Sequence, residues 1–200
     1  MNTTKNKSYS LFSHTDIKAF GIEMVSAQLF PILDSSKIEI SDWLNMTLKR
    51  NLLRPLASEK AKSEHLIVPI LSELQDKYPT FTYFSGYNFD VDKKQGLVGF
   101  CDYILSKKAN AVFIEAPILA VVEAKNADID SGIAQCISEL YAADIYNKRD
   151  NVEVPILYGA VTTGYDWRFI RFQNMKAEID TTIYSIQNLK QLFAAFVAIL

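Results

Sequence analysis

The chain contains few of the residues that form disulfides, zinc sites or strongly basic surfaces. Its 200 residues include two cysteines and two histidines, and the formal net charge is −2. Cys101 and Cys136 stand in apolar patterns without the C-x-x-C spacing of a metal site, so we expect two buried, reduced thiols. His14 and His65 do not have the spacing of a metal-ligand pair. The charge balance excludes a basic chain that binds nucleic acid over its whole surface, so a phosphate-binding surface must be a local patch.

Long apolar runs are also missing. The polar N-terminus, residues 1–10, is not followed by the apolar core of a signal peptide. The longest apolar segments, near 118–122 and 192–200, are too short to cross a membrane. Together with reduced thiols, these features predict a cytoplasmic protein with no membrane partner. The hydrophobic content of 49% is enough for one sizeable core, and the length does not require a second domain.

Apolar spacing, capping residues and prolines predict five helices and leave residues 1–13 as a frayed arm. In chain order the helices cover about 15–30, 41–53, 57–77, 128–146 and 187–200. Pro69 lies inside the third of them and removes a hydrogen bond to the carbonyl of His65. We therefore expect a kink at this point rather than two separate helices.

Runs of β-branched and aromatic residues predict six strands. They cover about 81–89, 97–105, 117–125, 155–162, 167–172 and 182–185. Residues 93–96, Lys-Lys-Gln-Gly, form the turn between the first two strands. Short connections make the first three strands antiparallel, and the helix between the third and fourth makes that pair parallel. The predicted class is α/β, with a mixed sheet flanked by helices and extra helices at the N-terminus.

Two of the predicted strands carry charged side chains next to apolar residues. Glu123 and Lys125 stand two residues apart at the end of an apolar run, so they project from the same face of a strand. Asp102 interrupts another apolar run, where burial of an isolated carboxylate costs several kcal/mol unless a cation or hydrogen bonds compensate. Two acids and a lysine on neighbouring strands are suited to a divalent metal and a phosphate. This arrangement indicates phosphodiester hydrolysis.

Each of these residues has an expected role. Mg²⁺ takes oxygen ligands, and Asp102 and Glu123 with the carbonyl of Ala124 supply three of them. Glu64, on the third predicted helix, is expected to bind a second metal or to orient a metal-bound water. Lys125, beside two carboxylates, is expected to stay charged and either to stabilise negative charge on the phosphate or to help orient the attacking water. The alternatives are a solvated Glu-Lys pair, an Asp102 satisfied by backbone donors and an exposed Glu64.

The order of helix Glu, strand Asp and strand Glu-x-Lys resembles that of the PD-(D/E)XK nuclease superfamily, which has the restriction-endonuclease-like fold. Gln135 matches a glutamine found in many members on the helix after the acid-x-Lys strand, and Thr162–Trp167 is similar to their closing hairpin. The variant is similar to the amino-terminal nuclease domain of type I restriction subunits and to small stand-alone relatives of that domain. Cys101 stands where the family pattern has proline.

This resemblance covers about residues 57–173. It implies a single nuclease-like domain over 1–200, with a helical extension over 1–56, a core over 57–173 and a C-terminal strand and helix over 174–200. It also implies a Mg²⁺-dependent DNA endonuclease in which Mn²⁺ can substitute. Catalysis is assigned by the resemblance to five residues: Glu64, Asp102, Glu123, Lys125 and Gln135.

Basic residues near the predicted hairpins are the candidates for contacts with DNA, and solvated surface pairs are the alternative for each of them. The candidates are Lys93, Lys94, Lys107, Lys108, Arg168 and Arg171. Two other functions stay open. One is a catalytically inactive module of the same fold that binds nucleic acid or a protein, and the other is an unrelated α/β domain. A homodimer is an option, since cutting two strands requires two active centres.

Overall fold

The computed structural model describes residues 7–200. Residues 1–6 of the predicted frayed arm lie outside the described residues, and for residues 7–13 that prediction is wrong. Tyr9 is only 1% exposed, and its hydroxyl donates a hydrogen bond of 2.6 Å to the carbonyl of Phe89. An aromatic anchor therefore fixes this segment to the body of the protein.

The described residues form six α-helices, several of which are extended by short 3₁₀ or π segments. They are α1 (His14–Ala19), α2 (Asp42–Asn51), α3 (Glu59–Lys62), α4 (Val68–Lys77), α5 (Ile133–Arg149) and α6 (Leu189–Val197). Serine caps start three of them in the same way, because the hydroxyls of Ser13, Ser41 and Ser58 each accept a hydrogen bond from a backbone N–H of the first turn.

Eight strands of the described chain form one mixed sheet. They are β1 (Glu23–Ala27), β2 (Thr82–Asn88), β3 (Phe100–Ser106), β4 (Ile118–Ala124), β5 (Leu157–Thr162), β6 (Asp166–Gln173), β7 (Lys176–Asp180) and β8 (Tyr184–Ser185). The order across the sheet is β1-β7-β6-β5-β4-β3-β2, and β8 pairs with β6. The pairs β4–β5 and β1–β7 are parallel, and the others are antiparallel. The α/β class, the antiparallel first hairpins and the parallel crossover are confirmed.

Helices cover both faces of the sheet. On one face α5 packs on β4 and β5, with Ile137 and Leu140 completely buried. On the other face α2, α4 and α6 enclose a second core that includes Leu71 and Trp167. Asn147 fixes the end of α5, because its amide both accepts from the N–H of Ile118 and donates to the carbonyl of that residue. The crossover helix is thus held in register with β4.

The predicted helix over 15–30 is wrong, and the 1–56 extension is not wholly helical. Asp16 and Ser13 form a capping box, but the helix ends at Ala19 and Gly21 adopts a positive φ of 81°. The next residues form β1, which pairs with β7 from the far end of the chain. Similarly, the C-terminal region over 174–200 contributes two strands, β7 and β8, instead of one. The sheet therefore includes strands from all three predicted regions.

The helix predicted over 57–77 is present from Glu59 to Lys77, with an irregularity before its proline. A π-helical segment, Ser63–Ile67, joins α3 to α4, and Pro69 stands in the first turn of α4. The carbonyl of His65, which loses its partner at the proline, accepts a hydrogen bond of 2.8 Å from the side chain of Asn51. Helical structure runs on from Glu59 to Lys77 without a break, the kink at Pro69 stays a prediction, and α2 compensates for the missing bond.

Gly159 on β5 lies so close to α5 that it leaves no room for a side chain. A Cβ atom there would stand 2.6 Å from the sulfur of Cys136 and 2.9 Å from a methyl carbon of Leu140. We expect Gly159→Ala to lower the free energy of unfolding by about 1–3 kcal/mol, measured by urea denaturation, because overpacking forces shifts in the core. The double variant Gly159→Ala/Cys136→Ala should lose less than the sum of the two single variants. If the double variant loses the full sum of the two single-variant losses in unfolding free energy, this packing would be contradicted.

No helix within residues 7–200 is both long enough and apolar enough to span a bilayer. Cys101 and Cys136 are buried and unpaired with each other, as the sequence predicts.

Candidate functional site

Glu123 and Lys125 lie at the end of β4 and point to the same side of the sheet. The Lys125 ammonium is 2.5 Å from a Glu123 carboxylate oxygen, and the two side chains are only 19% and 2% exposed. The alternating geometry of a strand produces this placement, as predicted. The low exposure excludes a solvated surface pair. The second oxygen of Glu123 is buried without a hydrogen-bond partner in residues 7–200.

Asp102 stands on the neighbouring strand β3 and reaches across to the same end of β4. Its carboxylate accepts a hydrogen bond of 2.8 Å from the N–H of Ala124. It also lies close enough to interact directly with the carboxyl of Glu123. The structure therefore brings Asp102, Glu123 and Lys125 together, although a backbone donor already satisfies part of the Asp102 carboxylate.

Helix α5 adds two polar side chains to this group. Gln135 accepts a hydrogen bond of 3.0 Å from Lys125 and donates one of 3.1 Å to Glu139. Glu139 is completely buried, and its carboxyl interacts with that of Glu123. The family resemblance assigns Gln135 to the site without predicting its contact with Lys125, and Glu139 is not predicted at all. The available signal was its position four residues after Gln135, on the same face of the helix.

Burial controls the protonation of this group. Desolvation, followed by repulsion from a neighbouring carboxylate, raises the pKa of Glu123 above its ordinary value, and the same two causes raise the pKa of Glu139. Desolvation also raises the pKa of Asp102. For Lys125, burial is the largest single influence and lowers the pKa, but Glu123, Glu59 and Asp102 together outweigh it and the net shift is upward. The lysine therefore keeps its charge beside carboxyl groups whose pKa values are all raised.

Glu64 is not brought into contact with this group. Its side chain is 58% exposed and lies 3.8 Å from the ammonium of Lys60, one turn earlier. It nevertheless lines a surface cavity of about 390 Å³ together with Asp102 and Ala124. Glu59, at the start of α3, lines the same cavity and is close enough to raise the pKa of Lys125. Sequence reasoning missed Glu59, since it selected Glu64 by its spacing within the helix.

The fit of a divalent cation depends on Asp102 and Glu123. Within residues 7–200, no three side chains of His, Cys, Asp and Glu form a group of the kind that holds a metal. The predicted ligand set has only two carboxylates and the carbonyl of Ala124, and Mg²⁺ commonly completes so small a set with water and phosphate oxygens. The unpartnered oxygen of Glu123 and the raised pKa values of both carboxyls are features that a bound cation would relieve. The residues therefore fit the ion.

Most of the predicted DNA contacts have acidic partners of their own. Lys93 lies 3.8 Å from Asp90, and Arg171 lies 2.6 Å from Glu178. Lys108 pairs with Glu115, and Arg168 pairs with Asp130. Lys94 and Lys107 are exposed. None of these six residues lines the cavity beside Asp102.

Comparison with known proteins adds no assignment, because no protein-family model and no curated protein matches the chain.

The carboxyl cluster should make stability depend on pH. Because the folded protein holds protons on Glu123 and Glu139 more tightly than the unfolded chain does, the metal-free protein loses stability as pH rises above the ordinary carboxyl range. We expect Glu139→Gln, which keeps an acceptor for Gln135, to melt at a higher temperature than wild type at pH 8. Each kcal/mol added to the free energy of unfolding raises the melting temperature by roughly 2–4 °C.

The measurement is a thermal melt in EDTA across pH 5–8, and the two proteins should converge at the acidic end. If the melting temperatures of wild type and Glu139→Gln differ by the same amount at every pH from 5 to 8, Glu139 does not hold a proton in the folded state.

Proposed function

We propose that the protein is a metal-dependent phosphodiesterase that cleaves DNA, with its active centre at the end of β3 and β4. The observation that carries the proposal is that Asp102, Glu123 and Lys125 lie together at this end of the sheet, where Asp102 also lines a surface cavity. The order of these residues along the chain, together with Gln135, also supports the PD-(D/E)XK resemblance and its restriction-endonuclease-like fold. The mixed sheet between two helical layers is compatible with that fold.

In this proposal, Asp102 and Glu123, with the carbonyl of Ala124, would hold Mg²⁺, which would neutralise charge on the phosphate and lower the pKa of water. Lys125 places a positive charge next to the scissile phosphate, where it stabilises the charge that develops in the transition state. Gln135 fixes the ammonium by accepting its hydrogen bond. Glu139 in turn fixes the amide of Gln135. Glu64, at the rim of the cavity, is in a position to orient water.

The experiment is cleavage of supercoiled plasmid DNA by the purified chain with Mg²⁺, with Mn²⁺ or with EDTA. We expect nicking with either metal and none with EDTA. Asp102→Asn, which keeps the size of the side chain and its acceptor for Ala124, should abolish nicking. Equal nicking by Asp102→Asn, or no cleavage by wild type with either metal, would refute the proposal. Cleavage of RNA alone would refute the choice of DNA.

A catalytically inactive module of the same fold is the second candidate. It is favoured by the closed network in which Lys125 is held by Glu123 and Gln135, since an ammonium with two protein partners has less freedom to contact a phosphate. This candidate predicts DNA binding that metal does not change, and no cleavage. The plasmid experiment therefore separates the two candidates.

A further inference from the structure

A short stretch of the chain carries a local excess of positive charge that the sequence prediction did not use. Residues 49–62 contain five basic residues and one acidic residue, in a chain whose net charge is −2. We call this stretch the basic segment. It runs from the end of α2 through a connecting loop to α3, and its basic residues are Lys49, Arg50, Arg54, Lys60 and Lys62.

The basic segment borders the cavity of the candidate site. Lys60 lines the cavity together with Asp102. The ammonium of Lys62 hydrogen-bonds the carbonyl of Asn126, the residue that follows Lys125. The same ammonium lies 5.6 Å from the centroid of the Tyr165 ring. This end of the segment is therefore adjacent to the acidic group.

The other end of the basic segment lines a second groove. This groove, of about 430 Å³, includes Lys49 from α2 and Tyr165 from the turn between β5 and β6. Tyr165 thus contacts Lys62 on one side and shares a groove with Lys49 on the other. Lys49 and Lys62 are therefore linked through Tyr165, and Lys60 lines the cavity beside Asp102.

Four of the five charges of the basic segment, those other than Lys62, are exposed to a ligand. Within residues 7–200, Lys49, Arg50 and Arg54 are exposed and form no ion pair. Lys60 is 84% exposed at its side chain and has a single, long contact of 3.8 Å with Glu64. The predicted contacts Lys93, Lys108, Arg168 and Arg171, in contrast, are paired with acids. Unpaired arginine and lysine side chains are the groups that bind phosphates.

We propose that the basic segment binds the phosphate backbone of DNA and leads it to the cavity at Asp102. This inference rests on the proposed function for its substrate, and it assigns DNA binding to α2 and its loop, which lie mostly outside the region of the nuclease resemblance. Each neutralised phosphate releases counterions, so binding through this segment depends strongly on salt. Tyr165 offers an aromatic face between Lys62 and the second groove.

The test is binding of a short, fluorescently labelled DNA duplex, measured by anisotropy in EDTA so that no cleavage occurs. The triple variant Lys49→Gln/Arg50→Gln/Arg54→Gln should bind at least tenfold more weakly than wild type at low salt. The slope of the logarithm of the association constant against the logarithm of the salt concentration should decrease in magnitude by about 2–3. This decrease corresponds to the loss of three phosphate contacts. Because all three side chains are exposed, the variant should melt at the wild-type temperature.

The matched control removes the same number of charges elsewhere. Lys18→Gln/Lys148→Gln/Lys176→Gln alters residues on α1, α5 and β7, none of which lines the cavity or the second groove. We expect its affinity to stay within twofold of wild type. Equal losses in both triple variants, an unchanged affinity in the first, or no DNA binding by wild type would each overturn the proposal.

The outcomes for this surface and for the proposed function are distinguishable. Salt-dependent binding that the first triple variant loses, without metal-dependent cleavage by wild type, would retain the surface and reject the nuclease. If wild type cleaves DNA with metal but the first triple variant binds DNA as tightly as wild type, the nuclease would be retained and the surface rejected.

Discussion

Replacement of Lys125 by methionine is expected to lower the rate of DNA cleavage by about 10²–10³-fold, which is the usual effect of removing one group that stabilises transition-state charge. Methionine keeps the length of the side chain but cannot neutralise a phosphate. Lys125 has no surface role that would explain such a loss, since it is 19% exposed and bonded to Glu123 and Gln135. The measurement is the initial rate of plasmid nicking with saturating Mg²⁺.

The matched control is Lys148→Met, which removes an exposed lysine from the distant end of α5 and should keep the wild-type rate. Because Lys125→Met leaves Glu123 buried without its cation, its melting temperature must be measured as well. Lys125→Arg, which keeps the charge, provides a second folded variant with an altered geometry. A folded Lys125→Met that cleaves at the wild-type rate would exclude the lysine from the mechanism.

The second large effect is expected for the stability of the fold. Trp167→Ala should lower the free energy of unfolding by about 3–5 kcal/mol, the range for truncation of large buried aromatic residues. Trp167 is completely buried, and its ring stands 5.4 Å from that of Phe196 in an edge-to-face arrangement. It joins β6 to the C-terminal helix α6. The measurement is urea denaturation followed by circular dichroism.

The chain supplies its own control for this prediction. The other tryptophan, Trp43 on α2, is 52% exposed, and Trp43→Ala should change stability by no more than about 0.5 kcal/mol. Similar losses for the two variants would mean that α6 does not pack on β6 as described here.

The candidate site was predictable from sequence where strand geometry alone determines it. Glu123 and Lys125 share a face because side chains alternate along any strand, whatever its surroundings. Asp102 was marked by its apolar neighbours. Glu139 was not found, because only the docking of α5 on β4 and β5 decides that its face of the helix meets the sheet. Helical spacing favours Glu64, but spacing alone does not show that its side chain points to solvent instead of contacting Asp102 and Glu123.

The fold was predictable where neighbours in sequence are also neighbours in space. The hairpins of β2, β3 and β4 and the crossover through α5 follow from short connections and apolar patterns. The sequence predicts helix at β1, since its sheet partner among residues 7–200, β7, lies about 150 residues away in the chain. Gly21 marked the true end of α1, and a glycine beside a marginal apolar pattern favours a break over continuation. Pairing between such distant segments leaves little local signal.

The most direct test of the central claim is Mn²⁺ binding, measured by electron paramagnetic resonance for wild type, Asp102→Asn and Glu123→Gln. Mn²⁺ prefers the same oxygen ligands as Mg²⁺ and is directly observable. We predict one ion per wild-type chain and at least a tenfold loss of affinity in each variant, since loss of an outer-shell partner alone commonly costs about 10–100-fold. Asp76→Asn, which alters an exposed carboxylate on α4, should bind as wild type does. Equal binding by all four proteins, or none by wild type at millimolar Mn²⁺, would contradict a shared cation site between β3 and β4.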